Sequence, residues 1–257
     1  MLGWRLGDPG DPVERIRREL ATHQAVRVPG TPRFSGGLVG FLSYDAVRLF
    51  EPRVPMGGPD ELGFPDALFM DFDQVVAFDN VRHSLHVIAE VRCAEGDDPR
   101  ALYHGALARI GGTLAALSRP LRDRRPPRVT TPAALRPRTT RRAFQAAVRR
   151  AQAYVKAGDC QQVVLSQRFD ADVAVPPFEV YRALRRVNPS PYLFYLQAGS
   201  RALVGSSPET LVKLEDGEVT LRPIAGTRRR GRDAAEDLRL EAELRADPKE
   251  NAEHVML

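Results

Sequence analysis

Glu250 and Glu253 stand three residues apart in A-D-P-K-E-N-A-E-H, so a helix there would project both carboxylates from one face, with His254 beside them. Oxygen donors of this kind suit Mg2+, which takes few protein ligands and leaves the rest of its octahedron to water or substrate oxygens. The same pair also reads as the solvated face of a charged helix. The apolar residues that follow, Val255 to Leu257, shift the balance toward a buried helix, which would place acids near its first turn only for a cause. Glu209, in G-S-S-P-E, follows a strand pattern at a tight turn, where burial could raise a carboxyl pKa for general-acid work. In R-P-I-A-G-T-R-R-R-G, the small residues Ala225, Gly226 and Thr227 let a ligand approach the backbone closely. The arginines after them, Arg228 to Arg230, either hold an anion or sit in water. Gln162, in the apolar run Q-Q-V-V-L-S-Q-R-F, needs hydrogen-bond partners if it faces inward, and a ligand pocket or a neighbouring backbone would supply them.

The elements that must position these residues are legible from periodicity. V-E-R-I-R-R-E-L after Asp11 and Pro12 predicts a short amphipathic helix. Gly36, Gly37 and Gly40 interrupt an apolar run and predict a strand lying close against another backbone. A-L-F-M-D-F-D-Q-V-V-A-F-D and S-L-H-V-I-A-E-V alternate, with residues 80–83 between them, and predict a hairpin. Helices are predicted around Ala101–Leu117 and over the stretch that Thr139 or Thr140 would cap and Gly158 would end, the second carrying Phe144, Val148, Ala151 and Val155 on one face. Q-Q-V-V-L-S-Q-R-F reads as a buried strand and P-P-F-E-V-Y-R-A-L-R-R-V as a helix. P-Y-L-F-Y-L and A-L-V-G-S-S read as strands, and a hairpin turning at Asp216-Gly217 leads into R-P-I-A-G-T. E-D-L-R-L-E-A-E-L-R-A is helical, and Asp247 with Pro248 opens a further helix. The expected fold class is α+β, with layered antiparallel sheets flanked by helices. The expected division is residues 1–118 as a partial amino-terminal subdomain, a proline- and arginine-rich linker over 119–138, and 139–257 as the first part of a catalytic domain.

A 257-residue chain with 43% hydrophobic residues can bury a sizeable core. Its net charge of +5 comes from arginines interspersed with many acids, which predicts local anion sites and no nucleic-acid partner. Cys93 and Cys160 lack metal-ligand spacing and read as two reduced thiols. No run approaches the roughly eighteen apolar residues of a membrane span, and the first residues are charged, so the expected location is cytoplasmic with no membrane contact. The last helix stops without a cap inside an apolar pattern, which predicts a fragment.

Five stretches in order, G-D-C-Q-Q-V-V-L-S-Q-R-F, N-P-S-P-Y-L-F-Y-L, G-S-S-P-E, R-P-I-A-G-T-R-R-R-G and A-D-P-K-E-N-A-E-H-V-M-L, resemble the chorismate-utilising enzymes. Among these the resemblance is strongest to the large subunits, component I, of anthranilate synthases. F-S-G-G-L-V-G-F-L-S-Y-D and F-P-D-A-L-F-M-D-F extend it more weakly into the first half.

The resemblance implies an incomplete chorismate-binding fold and a Mg2+-dependent lyase that adds ammonia to chorismate, expels the ring hydroxyl and eliminates pyruvate to give anthranilate. Ammonia would come from a glutamine amidotransferase subunit, component II, and tryptophan would be the feedback inhibitor. By the same resemblance, Glu253 binds the metal with Glu250 as its neighbour. Ala225, Gly226, Thr227 and Gln162 line the substrate site, with Thr227 and Glu209 at the chemistry and Glu209 as general acid. Pro191, Tyr192 and Leu193 match the stretch that binds tryptophan. Relatives that activate water place a lysine where this chain has Gln162, and aminodeoxychorismate synthases place a lysine where it has Ala225, so both positions point to direct attack by ammonia. The family's amino-terminal L-L-E-S segment and everything beyond the magnesium helix are absent, so this polypeptide alone is expected neither to bind chorismate tightly nor to turn it over. The alternatives are an aminodeoxychorismate synthase-like enzyme lacking the lysine, and a non-catalytic basic remnant that binds an acidic partner.

Overall fold

The computed structural model describes residues 2–4, 10–22, 24–55, 58, 60–121 and 131–256. Residues 122–130 of the proline- and arginine-rich stretch, and Leu257, lie outside the described residues. The chain divides into two compact units, Met1–Asp123 and Arg124–Leu257.

The first unit carries β1 (Leu2–Trp4), α1 (Pro12–Ala21), β2 (Gly37–Leu42), a 3-10 turn (Tyr44–Leu49), β3 (Ala67–Phe72), β4 (Gln74–Asp79), β5 (Ser84–Ala89) and α2 (Pro99–Leu117). β3 lies between β1 and β2, and both of its neighbours run antiparallel to it. Gly40 stands opposite Phe69, and a methyl group built on it would come within 1.9 Å of the Leu68 carbonyl oxygen. That is the close backbone approach the glycine run predicts, and it leaves no space for a side chain. β4 and β5 form the predicted hairpin, in register from Gln74–Ala89 to Asp79–Ser84. α2 is fastened beside them: Gln74 Nε2 donates to the Arg109 carbonyl at 3.2 Å, and Arg109 Nη2 donates to the Glu90 carbonyl at 2.6 Å. The core of this unit is small, centred on Ala46, Ala67, Leu68 and Ala106.

The second unit carries β6 (Arg136–Pro137), α3 (Arg141–Ala157), β7 (Phe169–Asp170), α4 (Pro177–Val187), β8 (Tyr192–Ala198), β9 (Arg201–Ser207), β10 (Thr210–Glu215), β11 (Glu218–Arg222), α5 (Ala234–Ala246) and α6 (Pro248–Met256). α3 has both predicted ends: the Thr140 hydroxyl accepts from the Ala143 N–H at 3.2 Å, and Gly158 closes the helix at φ 82°. β8 and β9 pair from Tyr192–Ser207 to Ala198–Arg201, and Phe178 and Tyr181 of α4 pack their rings on Tyr195. The β10–β11 hairpin turns at Asp216 (φ 51°) and Gly217 (φ 85°), the two left-handed positions of a type I′ turn. Mixed helices and antiparallel strand pairs make this an α+β fold.

Two expectations are corrected. Q-Q-V-V-L-S-Q-R-F is not a buried strand: pairing begins only at Phe169, against the two residues of β6, and Val164 is 86% exposed. An apolar run becomes a strand only where a neighbour takes up its N–H and C=O groups, and among the described residues no strand does so for 161–168. Gln162 is therefore exposed in an irregular segment. Likewise α6 buries none of its residues, and Val255 is 84% exposed, because the helix neighbour it meets is α5.

Candidate functional site

Irregular chain from Pro223 to Gly231 runs between β11 and α5, and two separate elements converge on its first half. The β9–β10 turn brings Glu209, whose Oε1 accepts from the Ile224 N–H at 3.0 Å. The β10–β11 pairing shifts by one residue between Thr210 and Lys213, directly after this glutamate, an irregularity of the kind that re-aims side chains. α6 brings Glu250, packed so closely that a methyl group on Gly226 would lie 2.1 Å from its Oε2. Only glycine allows this carboxylate to lie against the backbone. Glu209, Ala225, Gly226 and Glu250 thus share one neighbourhood, although Glu209 and Glu250 are far apart in sequence.

The start of α6 is built by Asp247, whose Oδ1 accepts from the Lys249 and Glu250 N–H groups at 2.9 and 3.2 Å. Those backbone hydrogen bonds, the one from Glu250 foremost, hold the Asp247 carboxyl below its ordinary pKa. Glu250 Oε1 accepts from Arg228 Nη1 at 3.0 Å, and this bond leads the downward shift of its carboxyl. Glu250 and Glu253 do share a face, as their spacing predicts. Lys249 Nζ lies 3.3 Å from Glu250 Oε2 and 2.6 Å from Glu253 Oε2, so one cationic group touches both carboxylates at once.

That bridging ammonium tests the pair as a cation site. Two carboxylate oxygens converge on one positive centre, and oxygen donors match a hard divalent ion. Among the described residues no group of three or more His, Cys, Asp and Glu side chains gathers around a common point, so a divalent ion held here would take at most two ligands from this pair and water or substrate oxygens at the rest.

The arginine block turns toward the chain's own acids. Arg228 reaches Glu243, Asp247 and Glu250; Arg229 pairs with Glu236, Arg230 with Asp237, and Arg232 also with Glu236. Glu236 is the one buried charged residue among those described, and Asp237 additionally accepts from the Gly231 N–H at 2.7 Å. By sequence alone Arg228 to Arg230 are anion binders or solvated groups; the structure makes them clamps between the loop and the α5–α6 pair. Acids spaced along E-D-L-R-L-E-A-E-L-R-A-D-P-K-E were the available signal.

Of the remaining predicted positions, Tyr192 meets the edge of this neighbourhood, its hydroxyl accepting from the Thr210 hydroxyl next to Glu209. Pro191 and Leu193 flank it at the start of β8, and Leu193 stands opposite Ser206. Thr227 is exposed, and its carbonyl accepts from Arg228 Nη1 at 3.1 Å. No hydrogen bond among the described residues ties Gln162 to the group.

The family model for chorismate binding enzymes matches residues 6–257. The chain is 43% identical over 255 residues to anthranilate synthase component 1 of Pseudomonas putida, covering 97% of this chain and 51% of that protein. It is 45% identical over 244 residues to the protein of the same name from Thermus thermophilus, covering 95% of this chain and 50% of the other. Among solved structures, anthranilate synthase component I from Streptococcus pneumoniae superposes with a TM-score of 0.82 at 31% identity, over 99% of this chain and 56% of that one. The chain spans about half the length of the curated relatives it matches.

Proposed function

Because this chain belongs to the chorismate-binding enzyme family, we propose that it supplies one wall of an anthranilate synthase active site, in which chorismate and ammonia become anthranilate and pyruvate. The observation that carries this reading is the packing of Glu250 against Gly226 beside the Ile224 N–H that holds Glu209. It brings a carboxyl group from a hairpin and one from a helix to the same short stretch of backbone, an arrangement that supports a metal-assisted site for a small anionic substrate.

Glu253 and Glu250 are the residues that would hold Mg2+. When bound, the ion neutralises the substrate's ring carboxylate and fixes the ring for reaction. Gly226 and Ala225 offer a flat backbone surface to the ring, and the Thr227 hydroxyl offers a hydrogen bond. Glu209, held by the Ile224 N–H through Oε1, has Oε2 left to carry the proton that a departing hydroxyl requires. Ala225 brings no amine to compete with ammonia as the nucleophile. Gln162, on a segment without regular structure here, would complete the substrate site only if that segment gains strand partners.

Ammonia would arrive from a glutamine amidotransferase partner, component II. Tryptophan would bind at Pro191, Tyr192 and Leu193, next to Thr210 and Glu209. A cytoplasmic location fits such an enzyme; among the described residues no helix is long and apolar enough to cross a membrane. Residues 1–118 and 139–257 would act as subdomains joined through 119–138.

The test is anthranilate fluorescence with chorismate, ammonium and Mg2+ in a component I polypeptide of full family length that carries this segment, since the 257 residues alone are expected to turn over no chorismate. Glu253→Ala is expected to lower kcat/KM by about 100-fold, the upper end of what losing a group behind a metal ligand costs, because it removes a proposed ligand itself. Aminodeoxychorismate as the product, or activity indifferent to Mg2+ and to Glu253→Ala, would refute the assignment.

A further inference from the structure

We propose that Arg228 is the positioning residue that presents Glu250 to the metal, an inference that rests on the magnesium reading above. Arg228 is 22% exposed at its side chain and spends each guanidinium nitrogen on a different partner. Nη1 donates to Glu250 Oε1 at 3.0 Å and to the Thr227 carbonyl at 3.1 Å, Nη2 donates to Asp247 Oδ2 at 2.6 Å, and Nε lies 3.4 Å from Glu243 Oε1.

The geometry separates the two oxygens of Glu250. Oε1 is taken by Arg228, and Oε2 is the oxygen that lies against Gly226 and shares the Lys249 ammonium with Glu253 Oε2. The carboxylate plane is thereby fixed with one oxygen toward the arginine and the other toward the place where a cation touches both acids. Through Asp247 the same guanidinium grips the cap of α6, and through Thr227 it grips the proposed substrate wall. One side chain therefore sets the distance between metal face and substrate face. A lysine cannot do this, since its point charge lacks the rigid fork that reaches Asp247 and Glu250 together.

Mn2+ binding to this chain, read from loss of the free-ion EPR signal, tests the inference alongside the Mg2+ dependence of anthranilate formation in a component I polypeptide of full family length that carries the segment. Arg228→Ala is expected to weaken Mn2+ binding by about tenfold, the lower end of what removing a group behind a metal ligand costs. It should also raise the Mg2+ concentration for half-maximal rate by a similar factor while changing kcat at saturating Mg2+ less. Arg228→Lys should recover little of the loss. Arg229→Ala breaks a neighbouring clamp to Glu236 without touching Glu250, and should bind Mn2+ like the unsubstituted protein. Unchanged Mn2+ affinity in Arg228→Ala, or an equal loss in Arg229→Ala, overturns the positioning role while the magnesium reading stands. If Glu253→Ala binds Mn2+ as well as the unsubstituted protein does, or if the unsubstituted protein binds none, the magnesium reading falls and this inference falls with it.

Discussion

At the scale of single residues, the decisive feature is a missing side chain. Gly226 has ordinary backbone geometry, yet a methyl group there would sit 2.1 Å from Glu250 Oε2 and 2.8 Å from its Cβ. The carboxylate end of a glutamate can swing away, but its Cβ is fixed by α6, so the helix itself would have to shift. Gly226→Ala is therefore expected to raise both the KM for chorismate and the Mg2+ requirement, with a smaller effect on folding. Steady-state kinetics over a matrix of chorismate and Mg2+ concentrations would show it; a change confined to one of the two would argue that Glu250 and the Gly226 wall act separately. Glu209 illustrates the opposite case, a residue whose sequence context is an ordinary turn and whose relevance comes from a single acceptor bond to the Ile224 N–H.

At the scale of elements, caps and close approaches decide stability. Thr140 supplies an N–H acceptor that the first turn of α3 lacks, and Thr140→Ala is expected to cost about 1 kcal/mol in chemical denaturation. In the first unit the contact at Gly40 is with backbone, the Leu68 carbonyl at 1.9 Å and the Phe69 Cα at 2.8 Å, so no rotamer change relieves it. Gly40→Ala should push β2 from β3 and destabilise by about 1–3 kcal/mol, the usual range for overpacking. Recovery of native stability in that variant would mean that the β2–β3 pairing can slide. α6 depends on neither device alone: Asp247 caps it and Arg228 fastens it to the loop.

For the whole molecule, the carboxy-terminal end of the second unit carries a dense set of ion pairs beside the buried Leu240. Glu236, Asp237, Asp247 and Glu250 all have carboxyl pKa values held below the ordinary range, each by N–H groups or arginines of the 228–232 segment or of the α6 cap. For Glu236 the Arg232 backbone N–H leads, followed by the Arg232 and Arg229 side chains. A carboxylate whose folded pKa is depressed stabilises above the unfolded pKa and loses that contribution as pH falls through the folded one. Thermal stability should thus hold from neutral pH down to about 4–4.5, where unfolded carboxylates begin to take up protons, and drop below it. Glu236→Gln should be less stable at pH 7 and show a shallower acid decline; parallel declines in variant and parent would remove the clamp from this account.

Local chemistry was legible in the chain by itself: the Asp11, Thr140 and Asp247 caps, the Asp216-Gly217 turn, the β4–β5 alternation and the shared face of Glu250 and Glu253 each depend on neighbours within a few residues. The order of five motifs likewise carried the family. Tertiary structure decided what no spacing contains. It made Arg228 to Arg230, which by sequence either hold an anion or sit in water, into clamps, because their acids lie on the two helices that follow the loop. It brought Glu209 and Glu250 to the same three residues, because a hairpin and a helix end converge there. It left Gln162 exposed, because an apolar run becomes a buried strand only when a second strand lies beside it.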